Sequence, residues 1–154
     1  MIVKVDDSTM LSAAQIHSEA WKESHRAFCS EKFVEQHTIE NQEKYLHKEI
    51  SEGKDLYILI EQKPVGIVSI KDDLIENLYV LPSEQHKGYG TQLLIFAIQQ
   101  CNGTPCLWIL NNNEKAYSLY AKHGFALTGN THRLSDTISE IEMKRHCEQK
   151  KFRY

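Results

Sequence analysis

One stretch constrains this chain more than any other: Tyr79-Val80-Leu81-Pro82-Ser83-Glu84-Gln85-His86-Lys87-Gly88-Tyr89-Gly90-Thr91-Gln92-Leu93-Leu94. It reads as a buried strand, a turn rich in backbone donors, and a helix opening on two glycines. The first amides of a helix have no partner within it and sit at the positive end of its dipole, so this order builds an anion site. Gly88 and Gly90 remove side chains where phosphate oxygens would approach the backbone. The loop carries neither GxxxxGK[ST] nor GxGxxG, which argues against an ordinary nucleotide fold.

A second segment follows downstream. An apolar strand, Leu107-Trp108-Ile109-Leu110, leads into Asn113, Ala116, Tyr120, Gly124 and Phe125 at the spacing N-x-x-A-x-x-x-Y-x-x-x-G-F. Gln85, Gly88 and Gly90 match the pattern Q/R-x-x-G-x-G/A. In order and together, the two segments resemble the GNAT superfamily of acyl-coenzyme A-dependent N-acyltransferases. The resemblance covers residues 56–125, nearly half of the 154. It implies an α/β fold with a central, mostly antiparallel mixed sheet, one splayed parallel strand pair, and helices on both faces.

The bulk numbers fit a single globular domain over 1–154. The chain is long enough for a real core, with 41% hydrophobic and 25% charged residues. No apolar run approaches the roughly 20 residues that cross a membrane, and the start is too soon acidic for a signal peptide. A cytoplasmic protein with no membrane partner is expected. Net charge is −3, from 18 basic and 21 acidic residues, which argues against a nucleic-acid partner. The tail is basic at Lys144, Arg145, Lys150, Lys151 and Arg153 and reads as a solvated end frayed from about residue 146. Cys29, Cys101, Cys106 and Cys147 have no CxxC spacing, and the histidines lack metal-ligand spacing, so no metal is expected. Cys101 and Cys106 flank a helix-to-strand turn and read as small buried hydrophobes.

Patterning predicts a strand over 2–5, a helix over 8–28 with Ala13, Ile16 and Ala20 inward, and a more polar helix or broken helix over 31–51. A hairpin follows at 56–60 and 65–70, then a strand over 74–81, the Gly88 helix to 101, and a strand over 106–110. A helix over 113–123 and strands over 125–128 and 137–144 complete the order.

What the resemblance implies about chemistry is acetyl transfer from acetyl-coenzyme A, as co-substrate, to a primary amine by direct attack in a ternary complex. The acceptor would be a small amine, a peptide amino terminus or a lysine. An alkylammonium of pKa about 10.4 leaves on the order of one molecule in a thousand as nucleophile at neutral pH, so a proton must be removed. Tyr120 occupies the family's acid position and would protonate the departing thiolate; the alternative is a packed tyrosine, a role Tyr117 could take instead. Glu76 is the candidate base, with a water chain as the alternative and His25 and His123 as outside candidates. Strand alternation puts Glu76 on one face with Leu78 and Val80. The resemblance assigns Leu78 and Val80 main-chain pairing with the pantetheine arm, and Asn113 an amide contact beside its role as helix cap. Phosphate binding falls to Gln85, Lys87, Gly88, Tyr89, Gly90 and Thr91; His86 stands where relatives carry glycine or arginine. Trp21, His25 and Phe28, with Phe33, form an aromatic patch open to a cationic acceptor or to core packing. A non-catalytic acyl-coenzyme A sensor of the same fold is the alternative reading, and a homodimer is open to either.

Overall fold

A computed structural model describes residues 1–146. The expected frayed tail, with Cys147, Lys150, Lys151 and Arg153, falls outside the described residues. The chain forms two compact units. The first comprises Met1–Lys71 and Ile75–Gln100; the second comprises Asp72–Leu74 and, from Cys101, the remainder.

The first unit is built on strands β1 (Ile2–Lys4), β2 (Asp55–Ile60), β3 (Pro64–Lys71) and, from Ile75 on, β4 (Leu74–Val80). Its helices are α1 (Met10–His25), α2 (Glu31–Glu35), α3 (Ile39–Ser51) and α4 (Tyr89–Gln100). β1 and β2 pair antiparallel, and β2 and β3 form the expected hairpin, with Ile58 opposite Ile67 and Leu59 opposite Gly66. β3 is buried from Val65 to Ile70 without alternation, so both of its faces are covered. Ile58 and Ile67 join Met10, Ala13 and Ile16 of α1 and Leu46 of α3 in one core. On the other face Tyr57 meets Phe96 of α4, with ring centroids 4.8 Å apart.

The predicted helix over 8–28 ends earlier, at His25, and the polar segment after it is broken. Ser30 Oγ accepts from the Phe33 amide to cap α2, and Thr38 Oγ1 accepts from the Asn41 amide to cap α3. Ser18 of α1 donates to the His37 carbonyl at 2.5 Å and holds the break against α1.

In the second unit β5 (Cys106–Leu110), α5 (Glu114–Lys122), β6 (Phe125–Arg133) and β7 (Ser139–Arg145) follow in order. β7 pairs antiparallel with β5 and with β6. β6 runs five residues past the predicted end because a bulge at 127–131, with Gly129 at φ 91°, resets its register on β7. Asp73 organises the turn before β5: its Oδ1 accepts from the amides of Asn102 and Gly103 at 3.0 and 2.8 Å. Cys101 and Cys106 are half-buried rather than core residues. Strand pairing follows the order β1-β2-β3-β4-β5-β7-β6. Among the described residues one parallel ladder is present, between β4 and β5, through the pair Leu74 with Cys106, both in the second unit. The expected mixed, mostly antiparallel sheet with one parallel pair is therefore present. Among the described residues no helix is long and apolar enough to cross a membrane.

Gly66 of β3 lies directly against Leu93 of α4. A Cβ built there would lie 2.7 Å from Leu93 Cδ1 and 3.0 Å from the Tyr79 carbonyl oxygen. Leu93 is fully buried and cannot swing away. Gly66→Ala is therefore expected to cost about 1–3 kcal/mol through overpacking, read as a lowered midpoint in thermal or urea unfolding. An unchanged midpoint would contradict this packing of α4.

Candidate functional site

The segment from β4 to α4 combines a tight helical turn with two left-handed residues. Leu81 continues the ladder, donating its amide to the Val65 carbonyl at 2.9 Å. Pro82–Glu84 forms one tight helical turn with proline at its start, where the missing amide costs nothing. Gln85 is extended, and His86 and Gly88 are left-handed, at φ 66° and 84°. The left-handed region suits glycine and is uncommon for histidine. A Cβ on Gly88 would meet no protein atom within 4 Å, so packing does not demand glycine there; the backbone conformation does.

The Gly88 carbonyl accepts from the Gln92 amide at 3.1 Å, which makes Gly88 the residue where the helix begins. The amides of Tyr89, Gly90 and Thr91 then belong to the first turn, whose donors have no acceptor inside the helix. Leu93, Leu94 and Ala97 bury one side of α4 completely, so the position of this turn is set by core packing. Loops with left-handed residues and converging amides bind anions. Of the charged groups here, Lys87 is 53% exposed and pairs with Glu84 at 2.7 Å, while Glu84 also meets Lys63 at 3.0 Å. The Glu84 bond holds the Lys87 ammonium above the usual lysine range. The Gln85 side-chain amide donates to the Val80 carbonyl at 3.3 Å and so ties the loop back to β4.

Inside β4, Asn77 adopts φ 51°, a left-handed residue in the middle of a strand. The kink breaks the two-residue alternation that was expected to align Glu76 with Leu78 and Val80. Glu76 itself is half-buried, and Lys54 donates to its Oε2. The same ammonium lies 2.5 Å from Glu49 Oε2. Burial opposes the Lys54 charge, but its hydrogen bonds to the two carboxylates outweigh it and raise its pKa. Base chemistry by Glu76 has to proceed beside this ammonium or displace it.

In the second unit Asn113 caps α5, accepting from the Ala116 amide at 3.1 Å. Tyr120 lies two turns further along and is 8% exposed, packed against Phe125 with ring centroids 5.9 Å apart. Burial pushes its phenol up to about 12, so the hydroxyl keeps its proton at neutral pH. The sequence reading offered Tyr117 as the packing residue, but Tyr117 is 41% exposed and Tyr120 is the one that packs. A buried, protonated phenol is compatible with both structural and donor roles.

The aromatic patch is an ordered stack. Trp21 has His25 on one face at 4.0 Å and His37 on the other at 3.3 Å, both rings nearly parallel to the indole. Phe28 sits against His25 and Phe33 against both Trp21 and His37. With both faces covered, Trp21 has no free face for a cationic acceptor; Phe33, which is exposed, keeps one available edge of the patch in solvent. Burial lowers the His25 pKa, so its ring is neutral at physiological pH.

Four residues close to the Glu76 strand escaped the sequence reading: His17, Tyr45, Ser69 and Asn77. Asn77 Oδ1 lies 3.3 Å from His17 Nε2 and accepts from the Tyr45 hydroxyl at 3.4 Å, and Asn77 Nδ2 donates to Ser69 Oγ at 2.9 Å. The available signal was Asn77 itself, since asparagine is disfavoured in strands and tolerates the left-handed region. Among the described residues no group of three or more His, Cys, Asp or Glu side chains is placed to hold a metal ion.

Several solved structures share this fold. The PaiA N-acetyltransferase of Thermoplasma acidophilum, in complex with coenzyme A, superposes with a TM-score of 0.73 at 18% identity over 96% of this chain and 98% of that one. YncA of Salmonella typhimurium, a putative acetyltransferase with acetyl-coenzyme A, gives 0.68 at 19% identity over 96% and 95%. A spermidine N-acetyltransferase variant from Vibrio cholerae gives 0.67 at 16% identity over 94% of each chain. No curated protein matches the sequence itself. The sequence profile of the Acetyltransferase (GNAT) family matches residues 14–125, well over half of the chain and spanning both the Gly88 loop and the Tyr120 helix, and the protein therefore belongs to the GNAT acetyltransferase family.

Proposed function

We propose that the protein is an N-acetyltransferase that moves the acetyl group of acetyl-coenzyme A to a primary amine by direct attack in a ternary complex. The observation that carries this reading is the turn from β4 into α4, where His86 and Gly88 are left-handed and the helix opens on unpaired amides. Those amides, the Thr91 hydroxyl and the Lys87 charge suit a pyrophosphate. Residues 78–80 of β4 precede the loop and suit the amides of the pantetheine arm.

The chemistry needs two proton movements. The amine loses a proton, its lone pair attacks the thioester carbonyl carbon, the C–S bond breaks, and the thiolate takes a proton. Tyr120 supports the second half. With its phenol near 12 and a free thiol near 8.5, complete transfer to a relaxed thiolate is uphill by about 5 kcal/mol. The role that fits is a hydrogen bond that strengthens as charge gathers on sulfur, with the proton following only while the C–S bond is breaking. Glu76 is the proposed base for the first half, directly or through water. Its pairing with Lys54 makes the water-relayed route the better match to the geometry. The acceptor is a small amine, a peptide amino terminus or a lysine.

Two measurements test the roles. Tyr120→Phe keeps the packed ring and removes only the hydroxyl, so turnover followed by free-thiol release across an amine panel should fall about 100-fold while acetyl-coenzyme A affinity holds. Unchanged turnover would remove Tyr120 from the chemistry, and cofactor binding by the wild type without any turnover would mark a sensor. Glu76→Gln should alter the acid limb of the pH–rate profile; a superimposable profile would assign deprotonation to solvent.

A further inference from the structure

Asn77 and its neighbours hold a strained backbone with more tethers than a strand residue needs. The four participants come from four elements: His17 from α1, Tyr45 from α3, Ser69 from β3 and Asn77 from β4. Asn77 Oδ1 faces His17 Nε2 and the Tyr45 hydroxyl, and its Nδ2 donates to Ser69 Oγ. Ser69 Oγ in turn donates to the Glu76 carbonyl at 3.2 Å, which closes the set on the residue before the kink. Every hydrogen-bonding atom of the Asn77 amide is thereby directed at a neighbour that fixes its orientation.

His17 shows that the arrangement is retained at a cost. It is 4% exposed, its Nδ1 has no hydrogen-bond partner among the described residues, and burial depresses its pKa to about 4. A neutral imidazole has one N–H, and Asn77 Oδ1 is its acceptor, so Nδ1 is left as a bare, desolvated lone pair. The rings of Tyr45 and Tyr79 close over it, at 5.2 and 5.0 Å. An apolar side chain would fill this space without an orphaned nitrogen. A left-handed asparagine backed by a buried, half-satisfied histidine is local strain of the kind that accumulates where backbone geometry serves a ligand.

We infer that His17, Tyr45 and Ser69 act through the Asn77 side chain as positioning residues for the acyl donor: they lock the left-handed kink of β4 and so orient the main-chain groups of residues 78–80 toward the pantetheine arm. The inference rests on the proposed function. Its distinctive consequence is that the clamp contributes to binding of the pantetheine portion alone, because the phosphates dock several residues further on, at the Gly88 loop.

Calorimetric titration with two probes separates these contributions. Coenzyme A carries the pantetheine arm; adenosine 3′-phosphate 5′-diphosphate carries the same phosphates without it. Asn77→Gly permits the left-handed backbone but deletes the tether, and Ser69→Ala removes a single hydroxyl and disturbs the fold least. Each variant should bind coenzyme A about tenfold more weakly, the equivalent of one or two lost hydrogen bonds, with the affinity for the diphosphate probe unchanged. Equal weakening of both probes would mean that the clamp only stabilises the fold, and no weakening of either would mean that it does not position the donor; both results overturn the inference while leaving the functional reading in place. Wild-type protein that binds neither probe would overturn the functional reading and the inference with it.

Discussion

A helix cannot pair its own first amides, and the structure is arranged so that those of α4 stand in a fixed place. One side of α4 is sunk into the core through Leu93, Leu94 and Ala97, and it approaches β3 so closely that residue 66 has no side chain. At its open end the chain arrives from β4 through left-handed His86 and Gly88. Core packing therefore sets the position of the helix, and backbone conformation sets the direction of its donors. An anion bound at this turn would be held mostly by dipole and amides rather than by side chains.

The remaining chemistry is distributed in a similar way, with charged groups kept in check by partners. Glu84 takes the positive charge of both Lys63 and Lys87, and Lys54 takes the negative charge of Glu49 and Glu76. Tyr120 has no such partner in its pKa balance; burial alone keeps it a neutral donor. Burial thus leaves Tyr120 a phenol that holds its proton, while Glu76 shares the Lys54 ammonium with Glu49.

Much of this was legible in the sequence wherever a residue's local preference and its tertiary role coincide. Gly88 at a helix start, Asn113 as a cap, the hairpin around Pro64 and the apolar run of β5 are such cases, and the structure places each where its pattern implied. Legibility failed where distant residues decide. Tyr117 was open as the packing residue of this helix, yet Tyr120 is the buried one and packs against Phe125. The aromatic residues near Trp21 left acceptor contact and core packing both open, and His37, sixteen residues away across a helix break, closes the second face of the indole. The alternation of β4 was interrupted by Asn77, whose left-handed backbone is sustained by His17, Tyr45 and Ser69 from three other elements. No window along the chain contains that information.

The most direct test of the account is calorimetric titration of the purified protein with acetyl-coenzyme A, run beside Gly88→Val. A β-branched residue at φ 84° must abandon the left-handed backbone and places methyl groups in the space proposed for phosphate oxygens. The account predicts micromolar-range binding by the wild type and loss of binding by the variant, with both proteins folded by circular dichroism. Absence of wild-type binding, or equal binding by the variant, would contradict the claim that the turn from β4 into α4 is the acyl-donor site.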